Sequence, residues 1–363
     1  MSEAVPGPAA SSPATVIVRA TVAEAAGASQ LVAGLTVLER SVRQLGRQPG
    51  RRILVATDDT FPLPATLPAT AELRRVNGDV EAAVDGLRAE TAGTVVSGNM
   101  VRLRGDPLDG GMRVTDETGR SAAEDAIFAD LLRGDLGFVA RHINKKISFP
   151  ITRHFLCHLP VTPNQVTLGA AALGLVGCAL VASGGRASMI VGLFLAQAQS
   201  ILDGCDGELA RVRFQQSRLG EWLDTVVDDF MNVALIGSIA VGLWRATGSA
   251  VLLGGGLLAV AMYLFYNVVC YRELVRQKVG GELINIRWKV TEGKDLKSMV
   301  SGKAPGLKVV LLALGRRDTF VFGWLLLGIA QLLPVAILWA LIVASISFGA
   351  ALTQVLAREP PTA

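Results

Sequence analysis

The sequence is short of charge and of the residue types that build metal or redox centres in soluble proteins. Only 18% of its 363 residues are charged, against about 25% in an average soluble domain, and 51% are hydrophobic. Its three histidines and four cysteines include no CxxC pair, so neither a zinc finger nor a disulfide scaffold is supported. Uncharged runs crowd the region after Val166. We therefore expect a soluble part followed by a part inside a membrane.

Two further absences concern the chain ends and nucleic acid. Residues 1–14 carry one charge, at Glu3, and lack the basic flank and apolar centre of a secretory signal, so we expect a disordered tail there and a second tail at 358–363. The net charge of +4 comes from Lys and Arg beside the apolar runs, where a bilayer accounts for them. No nucleic-acid partner is predicted.

Residues 15–135 alternate short strands with helices. The predicted strands are Thr15–Arg19, Arg52–Ala56 and Gly93–Ser97, and the predicted helices are Leu35–Leu45 and Val80–Leu87. This alternation indicates a parallel sheet covered by helices, an α/β sandwich. The cluster Gly105–Gly111 predicts the turn of a surface hairpin.

Residues 136–160 mix basic and apolar side chains. Arg141, His142, Lys145, Lys146, Arg153 and His154 are spaced among Phe138, Val139, Ile143, Ile147 and Phe149. The pattern favours an amphipathic juxtamembrane helix at the headgroup level, with an ordinary linker helix as the alternative.

Residues 161–357 contain the runs long enough to cross a bilayer. The uncharged runs are Val166–Gly184, Ala187–Leu202, Phe230–Trp244, Ala246–Tyr271 and Thr319–Ala357, the last being long enough for two spans if it turns near Pro334. We predict an all-α polytopic membrane domain of six transmembrane helices. The segment 271–318 has eleven Lys or Arg against five Asp or Glu, so the N-terminal domain and active site are predicted to face the cytoplasm, at the cell membrane.

Four aspartates lie where the second and third predicted spans end and begin. Asp203 and Asp206 are three residues apart, and Asp224 and Asp228 are four apart, so each pair shares one helix face. Carboxylates at membrane depth mark functional sites, and hard divalent cations compensate their charge. We predict one or two Mg²⁺ or Mn²⁺ ions, with two as the expectation. Asp229 is turned about 100° away, so we predict that it either supports a metal ligand without touching the ion or is structural.

The residues between these aspartates favour phosphoryl transfer. Gly207, Ala210 and Gly220 have almost no side chain, so a nucleotide pyrophosphate could approach the helix backbones, and Arg211 could bind a phosphate through two parallel hydrogen bonds. Helix caps and surface ion pairs are the plainest alternative for single aspartates. A cation transporter is a second alternative, but it does not explain the small residues or Arg211.

The spacing D-x2-D-G-x2-A-R-x8-G-x3-D-x3-D, from Asp203 to Asp228, resembles the signature of the CDP-alcohol phosphatidyltransferase family, and the stretch Thr162–Thr167 resembles that family's first span. The resemblance implies six helices, a homodimer in contact with membrane lipids, and transfer of a substituted phosphate group from a CDP-alcohol to an alcohol or phosphorylated polyol, with release of CMP. It also implies that the metal ligands are Asp203, Asp206, Asp224 and Asp228, with Asp228 as the catalytic base. The CDP portion would contact Asn164, Thr167, Gly207, Ala210, Arg211, Ser217 and Gly220.

The N-terminal domain resembles sugar nucleotidyltransferases around Gly34–Arg40, with two departures. The loop Ala20–Ala28 lacks tandem glycines whose amides would cradle a triphosphate, and Asn99 stands where that family has a metal-binding aspartate. We therefore predict an inactive nucleotidyltransferase-like domain.

The combined layout resembles bifunctional inositol-phosphate cytidylyltransferase and di-myo-inositol phosphate phosphate synthase proteins. That resemblance implies CDP-inositol as donor and inositol phosphate as acceptor. Cationic candidates for the acceptor phosphate are Arg153, Arg272, Lys289, Arg316 and Arg317. For these residues the alternative, which accounts for most of them, is that they belong to basic loops that set the membrane topology. The alternative is a phospholipid synthase that uses CDP-diacylglycerol and a polar alcohol or its phosphate.

Overall fold

The computed structural model forms two compact units, residues 1–134 with 212–214, and residues 135–211 with 215–363. The residues that it describes are 15–21, 28, 30–47, 51–58, 71–76, 79–91, 94–103, 106, 111–132, 137–278, 281, 283, 286–288 and 314–356. Both predicted tails, most of the turn at 105–111 and Lys289 lie outside these residues.

The first unit is built on a four-stranded sheet in which every pairing is parallel. The strand order is β5-β4-β1-β6, with β1 at Thr15–Ala20, β4 at Arg52–Asp58, β5 at Ala71–Val76 and β6 at Thr94–Ser97. Two short antiparallel pairs join β2 (Leu31–Val32) to β3 (Leu35–Thr36) and β7 (Met100–Val101) to β8 (Met112–Arg113). The helices of this unit are α1 (Val37–Leu45), α2 (Val80–Thr91) and α3 (Glu117–Leu131).

The sheet is buried on both faces. Leu38 and Val42 of α1 pack in one apolar cluster with Val16 of β1, whereas Val84 of α2 packs with Ile17 on the opposite face. Successive strand residues point to opposite faces, so the uninterrupted apolar runs of β1 and β4 suit a strand covered on both sides. The predicted α/β region with a parallel sheet is confirmed.

The second unit is helical. Residues 140–154, a π-helical turn at Ala140–Asn144 followed by α4 at Lys145–His154, lead into a short 3₁₀ turn at Leu156–His158. The long helices are α5 (Pro163–Ala182), α6 (Arg186–Val212), α7 (Arg218–Thr247), α8 (Ala250–Gln277), α9 (Arg317–Ile329) and α10 (Pro334–Leu356).

Five of these helices, α5, α6, α7, α8 and α10, are long and apolar enough to cross a membrane. The prediction of six spans is therefore not confirmed among the described residues. The predicted fifth span corresponds to α9, whose 13 residues rise only about 20 Å, whereas the hydrocarbon core of a bilayer is about 30 Å thick.

Polar caps and small residues set the positions of the helices around the site. Thr162 accepts a hydrogen bond from the Gln165 amide to begin α5, and Ser217 accepts one from the Gly220 amide to begin α7. Helix α5 packs on α7, where a Cβ added to Gly242 would lie 2.1 Å from the Val181 carbonyl oxygen. Helix α6 ends as α7 begins after a short connection, so their aspartates lie at the same end of the two helices.

Candidate active site

Carboxylates from α6 and α7 converge at this end of the helices. One carboxylate oxygen each from Asp203, Asp206 and Asp224 lie within 4.8 Å of one another. Oxygen ligands lie about 2.0–2.6 Å from Mg²⁺ or Ca²⁺, so two ligands of one ion are separated by at most roughly 4–5 Å. The spacing of these three oxygens is therefore compatible with a single shared cation.

The hydrogen bonding of these aspartates leaves an acceptor for such a cation. Asp206, of which 6% is exposed, accepts a short hydrogen bond from Thr167 and another from the Gly207 amide. Asp203 Oδ1 is buried and has no hydrogen-bond partner among the described residues. A buried carboxylate oxygen without a partner is costly, and an oxygen-binding cation would satisfy it. The donor set therefore fits Mg²⁺ or Mn²⁺.

Arg317, the first residue of α9, connects the fourth aspartate to the other three. Its Nη1 donates to Asp203 Oδ2 at 2.9 Å and, in a short contact, to Asp228 Oδ1. Its Nη2 donates to Gln199 Oε1 at 2.8 Å. Asp228 thus lies beside the cluster of three carboxylates and is paired with a guanidinium.

Two of the candidates for binding the acceptor phosphate, Arg316 and Arg317, have different partners in the structure. Among the described residues, Arg317 is bonded to the cluster, whereas the Nε of its neighbour Arg316 lies 3.5 Å from Asp318 Oδ1. From the sequence we considered Arg317 only as a ligand for an acceptor phosphate and missed its pairing with Asp203 and Asp228. The sequence did contain one indication of this pairing. Arg317 begins an otherwise apolar helix, at the same end of the predicted spans as the four aspartates.

The residues predicted to contact CDP lie on three helices, at the ends of α6, α7 and α5 that meet at the carboxylate cluster. On α6, a Cβ added to Gly207 would lie 3.8 Å from the Arg211 guanidinium, and Ala210 is half-buried beside them. At the start of α7, a Cβ on Gly220 would lie 3.1 Å from Ser217 Oγ and 3.3 Å from Asn164 Oδ1. Asn164 and Thr167 lie on the first turns of α5. The structure places these residues near one another, and their contacts with CDP remain predictions.

Asp229 faces away from the cluster. Its two carboxylate oxygens accept hydrogen bonds from Tyr263 at 3.0 Å and Tyr271 at 2.6 Å, both on α8. Its predicted structural role fits this placement, because the two tyrosines connect α7 to α8.

One buried carboxylate was not foreseen. Glu208 is fully buried on α6, and the ammonium of Lys145, which we had placed at the headgroup level, lies 2.6 Å from it. Its position inside the motif, at a residue that the spacing leaves free, was the only signal in the sequence.

Comparison with known proteins places these residues in a family. The family model described as CDP-alcohol phosphatidyltransferase matches residues 160–348, slightly more than half of the chain, and the N-terminal domain lies outside the match.

Similar proteins carry the name "Bifunctional IPC transferase and DIPP synthase". The one from Rubrobacter xylanophilus is 38% identical over 145 residues, which are 40% of this chain and 32% of that protein. The one from Thermococcus kodakarensis is 31% identical over 146 residues, 38% of this chain and 32% of that protein. The alignments thus span about a third of the relatives' length.

A crystal structure of Mycobacterium tuberculosis phosphatidylinositol phosphate synthase with CDP-DAG bound is 17% identical, with a TM-score of 0.42 over 59% of this chain and 99% of that one. Together, the family match and the apolar helices indicate a membrane protein. The prediction made from the motif is confirmed, and the chain belongs to the CDP-alcohol phosphatidyltransferase family.

Proposed function

We propose that this chain transfers a substituted phosphate group from a CDP-alcohol to an acceptor hydroxyl and releases CMP. The observation that supports the proposal is the convergence of Asp203, Asp206 and Asp224, with Asp228 alongside, within the segment matched by the family model. The oxygen of the acceptor hydroxyl forms a bond to the phosphorus that carries the donor alcohol. The bond from that phosphorus to the CMP oxygen breaks, and CMP leaves with the electron pair.

Asp228 is the residue that we assign as general base. Arg317 donates to its Oδ1, which leaves Oδ2 as the oxygen to receive the proton of the acceptor hydroxyl. The hydrogen bond from Arg317 holds this carboxylate in place beside the other aspartates. Arg317 therefore serves to orient the base in this scheme.

Asp203, Asp206 and Asp224 would hold the divalent cation, and a second ion, if present, would add Asp228. When bound, such ions would neutralise the negative charge that develops on the phosphate group during transfer. Thr167 and the Gly207 amide orient Asp206 by donating to its two oxygens.

The CDP portion is proposed to lie across the three helix segments described above. Gly207, Ala210 and Gly220 keep side chains out of the way, and Arg211 offers two parallel donors to a phosphate. Ser217, Asn164 and Thr167 border the same region at the beginnings of α7 and α5.

For the substrates, we propose CDP-inositol as donor and inositol phosphate as acceptor. The support is the name shared by the relatives, which are 38% and 31% identical to this chain over the aligned segments. The alternative donor is CDP-diacylglycerol, with a polar alcohol or its phosphate as acceptor. A phosphorylated acceptor needs a cation near the cluster. Because Arg317 already donates to Asp203, Asp228 and Gln199, we propose its neighbour Arg316 as the residue that binds the acceptor phosphate.

The remaining features of the proposal concern the whole chain. We propose a homodimer with the N-terminal domain and active site in the cytoplasm, and a sixth span formed by α9 together with flanking residues. On α8, Gly256 packs against Ala240 of α7 and Gly255 lies next to α10, whereas a Cβ added to Gly254 would meet no heavy atom of the described residues within 4 Å. We propose that α8 packs against the second copy at Gly254.

A screen for CMP release tests the reaction and separates the substrates. Detergent-solubilised protein is incubated with Mg²⁺ and either CDP-inositol or CDP-diacylglycerol, each with inositol, inositol phosphate, glycerol phosphate or serine. We expect release with CDP-inositol and inositol phosphate, and loss of at least about a hundredfold in Asp228→Asn, in line with the usual contribution of a general base. Asp229→Asn is the control for charge removal at the next residue. Turnover by Asp228→Asn at the wild-type rate would refute its assignment.

A further inference from the structure

Glu208 is a fully buried carboxylate that receives three side-chain hydrogen bonds from one helix face. Lys145 Nζ and Ser148 Oγ donate to its Oε1 at 2.6 and 2.5 Å, and Thr152 Oγ1 donates to its Oε2 at 2.6 Å. Buried charges are tolerated only when they are paired and hydrogen-bonded. The three donors lie on one face of α4, and the acid lies on α6. Their contact therefore fixes the position of α4 relative to α6.

The contact lies on the opposite side of α6 from the carboxylate cluster. Glu208 follows Asp206 by two residues, which corresponds to a rotation of about 200° around the helix. The two segments also approach closely here, since a Cβ added to Gly204 would lie 3.6 Å from Lys145 Nζ and Cys205 Sγ lies 3.7 Å from the Ser148 carbonyl oxygen. Residues 140–154 therefore contact α6 on the side opposite the carboxylate cluster, and these contacts resist rotation of α6 about its axis.

The same segment is also attached beside Arg317. The Ala140 amide donates to Asp318 Oδ2 at 2.8 Å, and Asp318 directly follows Arg317. A second contact joins buried Asn144 Oδ1 to Gln197 Nε2 at 3.0 Å, two residues from Gln199, which accepts a hydrogen bond from Arg317. One attachment thus lies two residues from a member of the cluster, Asp206, and the other two lie within two residues of Arg317 and Gln199. Arg317 donates to Asp203 of the cluster and to Gln199.

We infer that Glu208 is a positioning residue for the carboxylate cluster. By binding residues 140–154, Glu208 keeps α6 in the rotation that brings Asp203 and Asp206 to Asp224. Residues that orient metal ligands influence metal affinity even though they do not touch the ion. The inference depends on the proposed function for its chemistry, but it can be tested through cation binding alone.

The test measures binding of Mn²⁺ alone to full-length protein in detergent, by the electron paramagnetic resonance signal of free Mn²⁺. We expect Glu208→Gln to weaken Mn²⁺ binding by about tenfold, the lower end of the range seen when direct partners of metal ligands are removed, because Glu208 acts on the ligands through the helix. Thr152→Val should weaken it less, and Thr152→Ser, which keeps the hydroxyl, should restore wild-type affinity. The control is Glu273→Gln, because Glu273 is another buried carboxylate that accepts hydrogen bonds from Arg276 and Gln277 on α8.

Thermal unfolding in the same detergent distinguishes positioning from general support. A purely structural role predicts a lower melting temperature with unchanged Mn²⁺ affinity of the folded protein. That result, equal weakening by Glu273→Gln, or no Mn²⁺ binding by the wild-type chain would overturn the inference. If Glu208→Gln does not fold, the Mn²⁺ affinities of Thr152→Val and Thr152→Ser test the inference instead. Equal affinities of these two variants would overturn it. Mn²⁺ binding that depends on Asp224 and Glu208, with no CMP released from any donor, would support the positioning role and refute the proposed function.

Discussion

Arg317 offsets part of the negative charge of the four aspartates by pairing with Asp203 and Asp228. If all four are ionised they carry four negative charges, and one guanidinium with one divalent cation offsets three of them. Its side chain is 15% exposed, so its pairing with Asp203 and Asp228 is only weakly screened by solvent. At the scale of single residues, Arg317 is thus the main compensating charge that the protein itself provides.

Replacing Arg317 should therefore destabilise the protein strongly. We expect Arg317→Met to lower the free energy of unfolding by about 3 kcal/mol, because it leaves partly buried carboxylates without their partner. Arg316→Met is the matched control, since its side chain is 38% exposed and its ion pair with Asp318 is longer, and it should cost less than about 1 kcal/mol. Equilibrium unfolding in mixed micelles measures both values, and equal values for the two variants would contradict the assignment.

The motif located the acids, but their partners could not be predicted. The spacing of Asp203 and Asp206 on one helix follows from the residue numbers alone. Thr167 and Arg317 reach these acids from 36 or more residues away in sequence, and no local pattern predicts which distant side chain a carboxylate will meet. Glu208 was missed for the same reason, because its three donors belong to another segment.

Contacts between α5 and α7 depend on glycine. A Cβ on Gly242 would lie 2.1 Å from the Val181 carbonyl oxygen, a separation that no real contact allows. Five residues earlier on the same helix, a Cβ added to Gly237 would meet no heavy atom of the described residues within 4 Å. Among helices in a bilayer, small residues at interfaces allow the backbones to approach closely.

This difference between two glycines of one helix makes a prediction at the scale of elements. We expect Gly242→Ala to destabilise the protein by about 1–3 kcal/mol, because α5 and α7 must separate to accommodate the methyl group. Gly237→Ala should have no destabilising effect, since alanine favours helix and meets no neighbour there. Unfolding in mixed micelles checks both, and a Gly242→Ala variant as stable as wild type would show that the interface has room.

The elements were predictable where the composition of a segment matched its environment. The apolar strands β1 and β4 and the uncharged helices lie close to their predicted positions. Burial of the sheet on both faces selects for apolar strands, and contact with the hydrocarbon core of a bilayer selects for uncharged helices. Strand β5, with the sequence AELRRV, and helix α3 were not predicted. β5 is an edge strand with partly exposed charged residues, so tertiary pairing with β4 rather than local pattern makes it a strand.

At the scale of the whole molecule, the question is whether the N-terminal unit adds a nucleotidyltransferase activity to the chain. Asn99 is buried, and its Oδ1 accepts a hydrogen bond from Ser97 Oγ at 2.8 Å, while its carbonyl oxygen accepts one from the Val114 amide. An added Cβ on Gly98 would lie 2.9 Å from the Arg19 carbonyl oxygen, so this turn is tightly packed. These contacts give Asn99 a structural use and support the proposal of an inactive domain.

We accordingly expect the full-length protein to release no pyrophosphate from CTP and inositol phosphate in the presence of Mg²⁺. Asn99→Asp should not create the activity, because the loop at 20–28 still lacks the tandem glycines that would hold a triphosphate. A coupled pyrophosphate assay measures both proteins, and cooperative thermal unfolding of the same preparations shows that they are folded. Pyrophosphate release above background by the unmodified chain would overturn the proposal.

The sequence alone determined the membership of the family, the order of an α/β region before a helical one, and the two helices that carry the acids. These properties depend on residue type and spacing within short segments, which local physics links directly to helix faces and to burial in a bilayer. Only the tertiary structure decided that three of the acids meet within 4.8 Å, that Arg317 holds the fourth, and that Glu208 binds residues 140–154. Those contacts join segments far apart in the chain, and their geometry follows from how whole helices pack.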